Sequence, residues 1–486
     1  MTTSRRATTL LLATVLAGCS VGPDYATPKT SWLPFHNVAA VSGRKTPVAP
    51  PPLDHWWTGF DDPMLVTVVE RALGENLDLA AALARVRQAR AVASGAGAQL
   101  LPTVDLDGSA TAEHQSVESP LGALGRAFLG YNRDQREYTV GPAASWEIDL
   151  FGGLRRNATA ARAEAQAAEA DQAGTRITVA ADAADAYLQI RGYQARIAVA
   201  QQQIDTDARL LILLNARHQA GQADGREIAQ GEALLRQARA SLPALRIGLE
   251  AQLNRLDVLM GAQPGTYARD LAQPADIPRV PPIGTDDTPL DVLRRRPDII
   301  AAERRLAASN ERIGAAISDY YPKISLSGAL GFDSLSVSHL FTAKGFQTIG
   351  TGAVSWRLFD FGKVDAEVAQ ARGAEAQALA EYKQAALKAA EDAENALIAL
   401  SQTEVHVEEL QAEVASLQRA RDLSQRAYQA GSITLTDVLD ADRQLLTARD
   451  ALDANRADAA RAAVGIFRAL GGGWDVPPGP QMADKG

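Results

Sequence analysis

The chain is written twice, and this duplication constrains its fold more than any other feature of the sequence. Asp78-Leu79-Ala80-Ala81-Ala82 recurs as Asp298-Ile299-Ile300-Ala301-Ala302, and Pro102-Thr103-Val104-Asp105-Leu106-Asp107-Gly108 recurs as Pro322-Lys323-Ile324-Ser325-Leu326-Ser327-Gly328, a period of about 220 residues. Farther on, Ser145-Trp146-Glu147-Ile148 through Phe151-Gly152 matches Ser355-Trp356-Arg357-Leu358 through Phe361-Gly362, and Gln219-Ala220-Gly221 matches Gln429-Ala430-Gly431. The offset there is about ten residues shorter, so the first copy carries the longer loop.

Each copy reads as helix, strand, loop, strand, very long helix, turn, long helix. Residues 62–99 and 289–317 have helical periodicity, the second opened by Thr288 before Pro289, an N-cap and first-turn pair. No proline interrupts the chain between Pro142 and Pro243, nor between Pro322 and Pro477. A continuous helix from Leu154 to His218 would reach roughly 100 Å at 1.5 Å per residue, far more than a globular core needs. Alanines between Ala158 and Ala186 favour helix and let neighbouring helices approach closely.

The strands alternate. Val104 and Leu106 interleave with Asp105, Asp107 and Ser109, and Val140, Ala144, Trp146, Ile148 and Leu150 with Thr139, Ser145, Glu147 and Asp149. One apolar and one polar face suit a membrane barrel, and equally a half-buried sheet. The pairing with helices too long to cover them favours the barrel, with Trp146 and Trp356 in an interfacial aromatic belt. Four strands are too few to close, so closure requires further copies of the chain. After the leader no apolar run is long enough for a transmembrane helix.

At the start, Arg5 and Arg6 precede an apolar run and Leu16-Ala17-Gly18-Cys19, a signal peptide ending in what looks like a bacterial lipobox. Cys19 is the single cysteine, so no intrachain disulfide is available. Cleavage before it and acylation with diacylglycerol and an N-acyl chain is the expectation. Ser20, in place of an aspartate, points to the outer membrane. A net charge of −9 without a basic run excludes a nucleic-acid partner. The six histidines, His36, His55, His114, His218, His339 and His406, show no metal-ligand spacing, and no nucleophile elbow or phosphate-binding loop occurs. The chain reads as no enzyme, with no cofactor beyond the lipid.

Pro289-Leu290-Asp291-Val292-Leu293-Arg294-Arg295-Arg296-Pro297-Asp298-Ile299, running on to Tyr321-Pro322-Lys323-Ile324, resembles the hallmark stretch of TolC-like outer membrane factors of the lipoprotein, NodT-type branch. Cys19-Ser20-Val21-Gly22-Pro23-Asp24-Tyr25 is similar to the start of the mature chain in that branch. The resemblance covers nearly all of the mature sequence. It implies an α+β membrane protein: a homotrimer whose twelve-stranded transmembrane β-barrel continues into a periplasmic α-helical barrel of twelve staves. It also implies a periplasmic adaptor and an inner membrane transporter, most often of the proton-driven resistance-nodulation-division type, as partners in drug efflux. Type I protein secretion and a structural coiled-coil lipoprotein are the alternatives in other classes.

Tyr428 through Ala441 is similar to the family's periplasmic tip. Gly431, and Gly221 in the first copy, permit the left-handed turn there and mark the expected adaptor contact. Asp437 and Asp440, three apart and hence on one helical face, match the family's constricting aspartates. The organisation expected is a signal peptide at 1–18, a lipidated linker at 19–60, a first repeat at 61–263, a connector at 264–288, a second repeat at 289–470 and a flexible tail at 471–486.

Overall fold

The computed structural model describes residues 20–28, 33–37, 50–128, 130–283 and 294–474. After a 3-10 turn at Leu53–Phe60 the elements run α1 Pro63–Glu75, α2 Leu77–Ala98, β1 Thr103–His114, a short α3 Pro120–Gly125, β2 Asp134–Ile148, α4 Gly153–Gln219 and α5 Gly225–Leu259. The second copy follows as α6 Pro297–Ser318, β3 Lys323–Ser334, a 3-10 turn at Val337–His339, β4 Phe346–Ser355, α7 Lys363–Gln429 and α8 Leu435–Ala469. The duplication is retained in the long helices and the first strand of each copy: α4 and α7 each hold 67 residues, α5 and α8 each 35, β1 and β3 each 12, whereas β2 holds 15 and β4 10.

The helix expected over 62–99 is broken at Asn76. Its side chain accepts from the Leu79 amide at 2.9 Å, capping α2, and donates to the Leu259 carbonyl at 2.9 Å, so one buried amide ends one helix and starts the next. The expected start of the second-copy helix at Thr288 and Pro289 lies outside the described residues, as do 284–293 of the connector and hallmark segments.

Two compact units divide the chain. The first draws on Met1–Pro28, Arg87–Ala167 and Glu303–Glu381. It holds one antiparallel sheet in the order β1-β2-β3-β4. β1 pairs with β2 from Thr103↔Ser145 to His114↔Asp134. Between β2 and β3, Gly141 and Gly331 meet where a side chain on either would strike the facing backbone, at 2.3 Å from the Leu330 oxygen and 2.5 Å from the Val140 oxygen. Glycine is required there by close approach.

This sheet corrects the expected architecture. In place of a twelve-stranded transmembrane barrel, the described residues form an α-helix-rich fold with a small open four-stranded sheet whose β1 and β4 edges are unpaired. Each strand of a twisted sheet is rotated against the next, and four of them fall short of the turn that brings the edges together. Neither face of β1 or β4 is covered, and Val104 and Leu106 are exposed. The alternation in the sequence therefore separates two faces without burying either within the chain. No described helix is long and apolar enough to cross a membrane.

Helices in the first unit meet through alanine. Ala160 and Ala163 of α4 pack on Ala307 and Ala308 of α6, with Tyr25 laid against them. The segment after Cys19 is thus docked: the Val21 amide donates to the Phe151 carbonyl, Arg156 pairs with Asp24 at 2.9 Å and Glu311 at 3.0 Å, and the Tyr25 hydroxyl donates to Glu303 at 2.5 Å.

The second unit, drawn from Lys29–Val86, Ala168–Ala302 and Tyr382–Gly486, contains the main core. The stretch expected as a bare linker ends in it. Trp56, Trp57 and Phe60 of the 3-10 turn are buried, and Trp56 stacks on Phe467 at 5.3 Å. Tyr187 of α4 lies in the same core, its hydroxyl donating to Asp62 at 2.6 Å and accepting from Arg191 at 3.0 Å. The other oxygen of Asp62 caps α1 at the Met64 and Leu65 amides. Burial, with the Asp62 carboxylate adding to it, holds the Tyr187 hydroxyl well above its ordinary pKa. Tyr187→Phe leaves an acceptor and a donor unmatched and should lower stability by about 1–3 kcal/mol. Chemical unfolding of the full chain would read it, and an unchanged midpoint would contradict this account of the core.

Candidate functional site

The helix pairs of the second unit end in two matched turns. The α4–α5 turn places Gly221 at φ +74° and the α7–α8 turn places Gly431 at φ +75°, the left-handed region that glycine enters without strain. In both, the amide three residues past the helix reaches back to close it: Gln222 to the Arg217 carbonyl at 2.8 Å, Ser432 to the Ala427 carbonyl at 3.0 Å. These are Schellman closures, which satisfy carbonyls that the helix end leaves unpaired.

The outgoing helices start alike as well. Asp224 accepts from the Glu227 amide at 2.9 Å while Glu227 accepts from the Asp224 amide at 3.2 Å, a reciprocal cap on α5. On α8 the corresponding carboxylate is Asp437, whose Oδ2 accepts from the Thr434 amide at 2.9 Å and hydroxyl at 2.7 Å. Those two bonds hold Asp437 below the ordinary carboxylate range. Asp437 therefore already has a structural task at the start of α8. Asp440, one turn on, pairs with Arg443 at 3.3 Å and is more than half exposed.

Other contacts tie the two hairpins together just behind the turns. Leu214, Leu435 and Leu439 are buried against one another, with Leu210, Ile228, Leu234 and Tyr428 around them. Arg217 donates to the Tyr428 hydroxyl and lies over its ring at 5.2 Å from the centroid. Thr436 donates to Gln230 at 3.4 Å. The pairings between one hairpin and the other do not follow from the sequence, since their partners lie about 200 residues apart; only the spacing of four that sets Leu210 beside Leu214 and Leu435 beside Leu439 is visible there.

The remaining expected site residues lie elsewhere. In the first unit the Trp146 indole donates to the Leu100 carbonyl at 3.0 Å and Trp356 to the Tyr320 carbonyl at 3.0 Å, matched bonds in the two copies that leave both rings partly exposed. Cys19 lies outside the described residues. Among the described residues no group of histidine, cysteine and acidic side chains is placed to hold a metal ion.

Comparison with known proteins accounts for this geometry. A family model described as outer membrane efflux protein matches residues 68–262 and 289–472. The chain is 33% identical over 419 residues to the pyoverdine export outer membrane protein OpmQ of Pseudomonas aeruginosa, covering 86% of this chain and 87% of that one. It is 29% identical over 476 residues to nodulation protein T of Rhizobium leguminosarum bv. trifolii, covering 97% and 98%. A solved structure of the outer-membrane channel OprN superimposes with a TM-score of 0.85 at 33% identity, over 94% of this chain and all of that one. The chain belongs to the TolC-like outer membrane efflux protein family, whose non-catalytic members form the exit ducts through which tripartite systems, with an adaptor and an inner membrane transporter, discharge to the outside.

Proposed function

We propose that three copies of this chain assemble into one gated duct for small toxic compounds, fixed to the outer membrane by a lipid on Cys19 and closed at its periplasmic end by the turns at Gly221 and Gly431. The observation that supports it is the doubled hairpin: two helix pairs of equal length, with turns of the same construction and one pair of exposed carboxylates beside the second. Repeated around a three-fold axis, Asp437 and Asp440 line a mouth whose negative charge favours cations and which packing behind the turns holds shut. The adaptor meets the same turns. Trp146 and Trp356, each with its indole N–H tied to the backbone and its ring partly exposed, serve as contacts at the membrane–water interface. The energy comes from the transporter, and with it most of the selection among substrates.

Because Asp437 also caps α8, the informative substitution keeps its acceptor. Asp437→Asn with Asp440→Asn should raise single-channel conductance in planar bilayers, weaken cation preference and sensitise cells to bulky antibiotics. Asp437→Ala with Asp440→Ala should do the same while also fraying the start of α8. Conductance equal to wild type in the asparagine pair would count against a carboxylate gate.

The anchor has a separate test. Cys19→Ser should abolish incorporation of labelled fatty acid into the protein, and label retained by that variant would place the lipid on another residue.

A further inference from the structure

Two apolar stripes of the second unit are each broken by one aspartate, on helices whose leucines pack together near the turns. On α4 the inward positions run Ala200, Ile204, Asp207, Leu211 and Leu214; on α8 they run Leu435, Leu439, Asp442, Leu445 and Ala448. Both aspartates are buried, Asp207 at 3% and Asp442 at 8% exposure. A buried carboxylate is costly unless a cation or several donors face it.

Only one of the two is compensated. Asp442 accepts from Arg421 Nε of α7 at 2.8 Å, and the same guanidinium reaches Asp422 at 3.1 Å. Asp207 has a single neutral donor, Gln203 Nε2 of its own helix at 2.8 Å. The charged group that acts on it from α8 is Asp442, of like sign, itself paired with Arg421 of α7, whose guanidinium also reaches Asp422. Toward α5 the surroundings are apolar, with Ile204 and Ala208 packed among Leu235 and Ala238.

We propose that Asp207 and Asp442 form an acid-sensitive coupling between the two helical hairpins: with Asp207 ionised the α4–α8 contact is loosened by a buried charge that no cation balances, and with Asp207 protonated it tightens. Burial, reinforced by the Asp442 charge and opposed by Gln203, pushes the Asp207 carboxyl up to about 6 from 3.8. A raised carboxyl pKa means that the packed form binds the proton more tightly than the opened one. The proton therefore adds stability that is full below about 3.8 and is lost as pH rises through about 6. Between about pH 7.5 and pH 5 the packed form should gain about tenfold over the opened one. The inference concerns hairpin packing and stands whether or not this end closes the duct; only a fall in conductance on acidification would rest on the gate reading.

The test is amide hydrogen exchange on the full chain in detergent, corrected for intrinsic rates, at about pH 7.5 and pH 5. Protection in residues 200–214 and 438–448 should rise about tenfold on acidification in the wild type. Asp207→Asn should be equally protected at both values. Asp442→Asn, which keeps an acceptor for Arg421, should move the midpoint of the response to lower pH. A wild type with flat protection, an Asp207→Asn protein that keeps the response, or an Asp442→Asn protein with an unmoved midpoint each overturns the coupling.

Discussion

Alanine sets how closely the helices of this protein lie, and the rest of the structure depends on that distance. Between Ala170 and Ala186 the buried side of α4 is mostly alanine, and α8 answers it with Ala457, Ala460 and Ala463. Where the approach is tightest even alanine is too large: a methyl group on Gly192 would sit 2.7 Å from the Ala457 side chain. Small side chains contribute little burial each, so the long helices are also held by charge at the margins of the seam. Arg196 grips Asp450 at 2.7 and 3.0 Å, and Arg461 reaches Asp185 at 2.6 Å. Equal helix lengths in both copies then bring two turns to the same construction, which is what a mouth assembled from repeated parts requires.

Much of this was legible in the residues. Proline-free stretches announced the long helices, which came out one residue longer at each end than expected for α4, and the duplication predicted a second set of the same lengths. The glycines at 221 and 431 announced the turns because few other residues enter that backbone region without strain. The match between copies also located the strands, because the alternation survives in both.

What escaped the sequence depends on contacts between distant residues. Asn76 ends a helix because its amide reaches the Leu259 carbonyl, a partner no local pattern names. Residues 19–60 read as a linker, but Trp56 and Trp57 near its end are buried in the core that Phe467 of α8 shares. Asp437, matched to the family's constricting aspartates by resemblance, is in the structure a helix cap, which alters the experiment needed to test a gate there. The barrel went wrong for a different reason. Alternation reports that a strand has two unlike faces, whereas closure concerns how edges pair, and the described residues of one copy hold four strands with both edges open.

An open sheet and a set of turns that lines no mouth by itself mean that a single chain is an incomplete duct, and the account stands or falls on assembly. The direct measurement is the native mass of the protein extracted from outer membranes in mild detergent. The account predicts a particle of three copies; a particle of one copy, stable across detergents and concentrations, would contradict it.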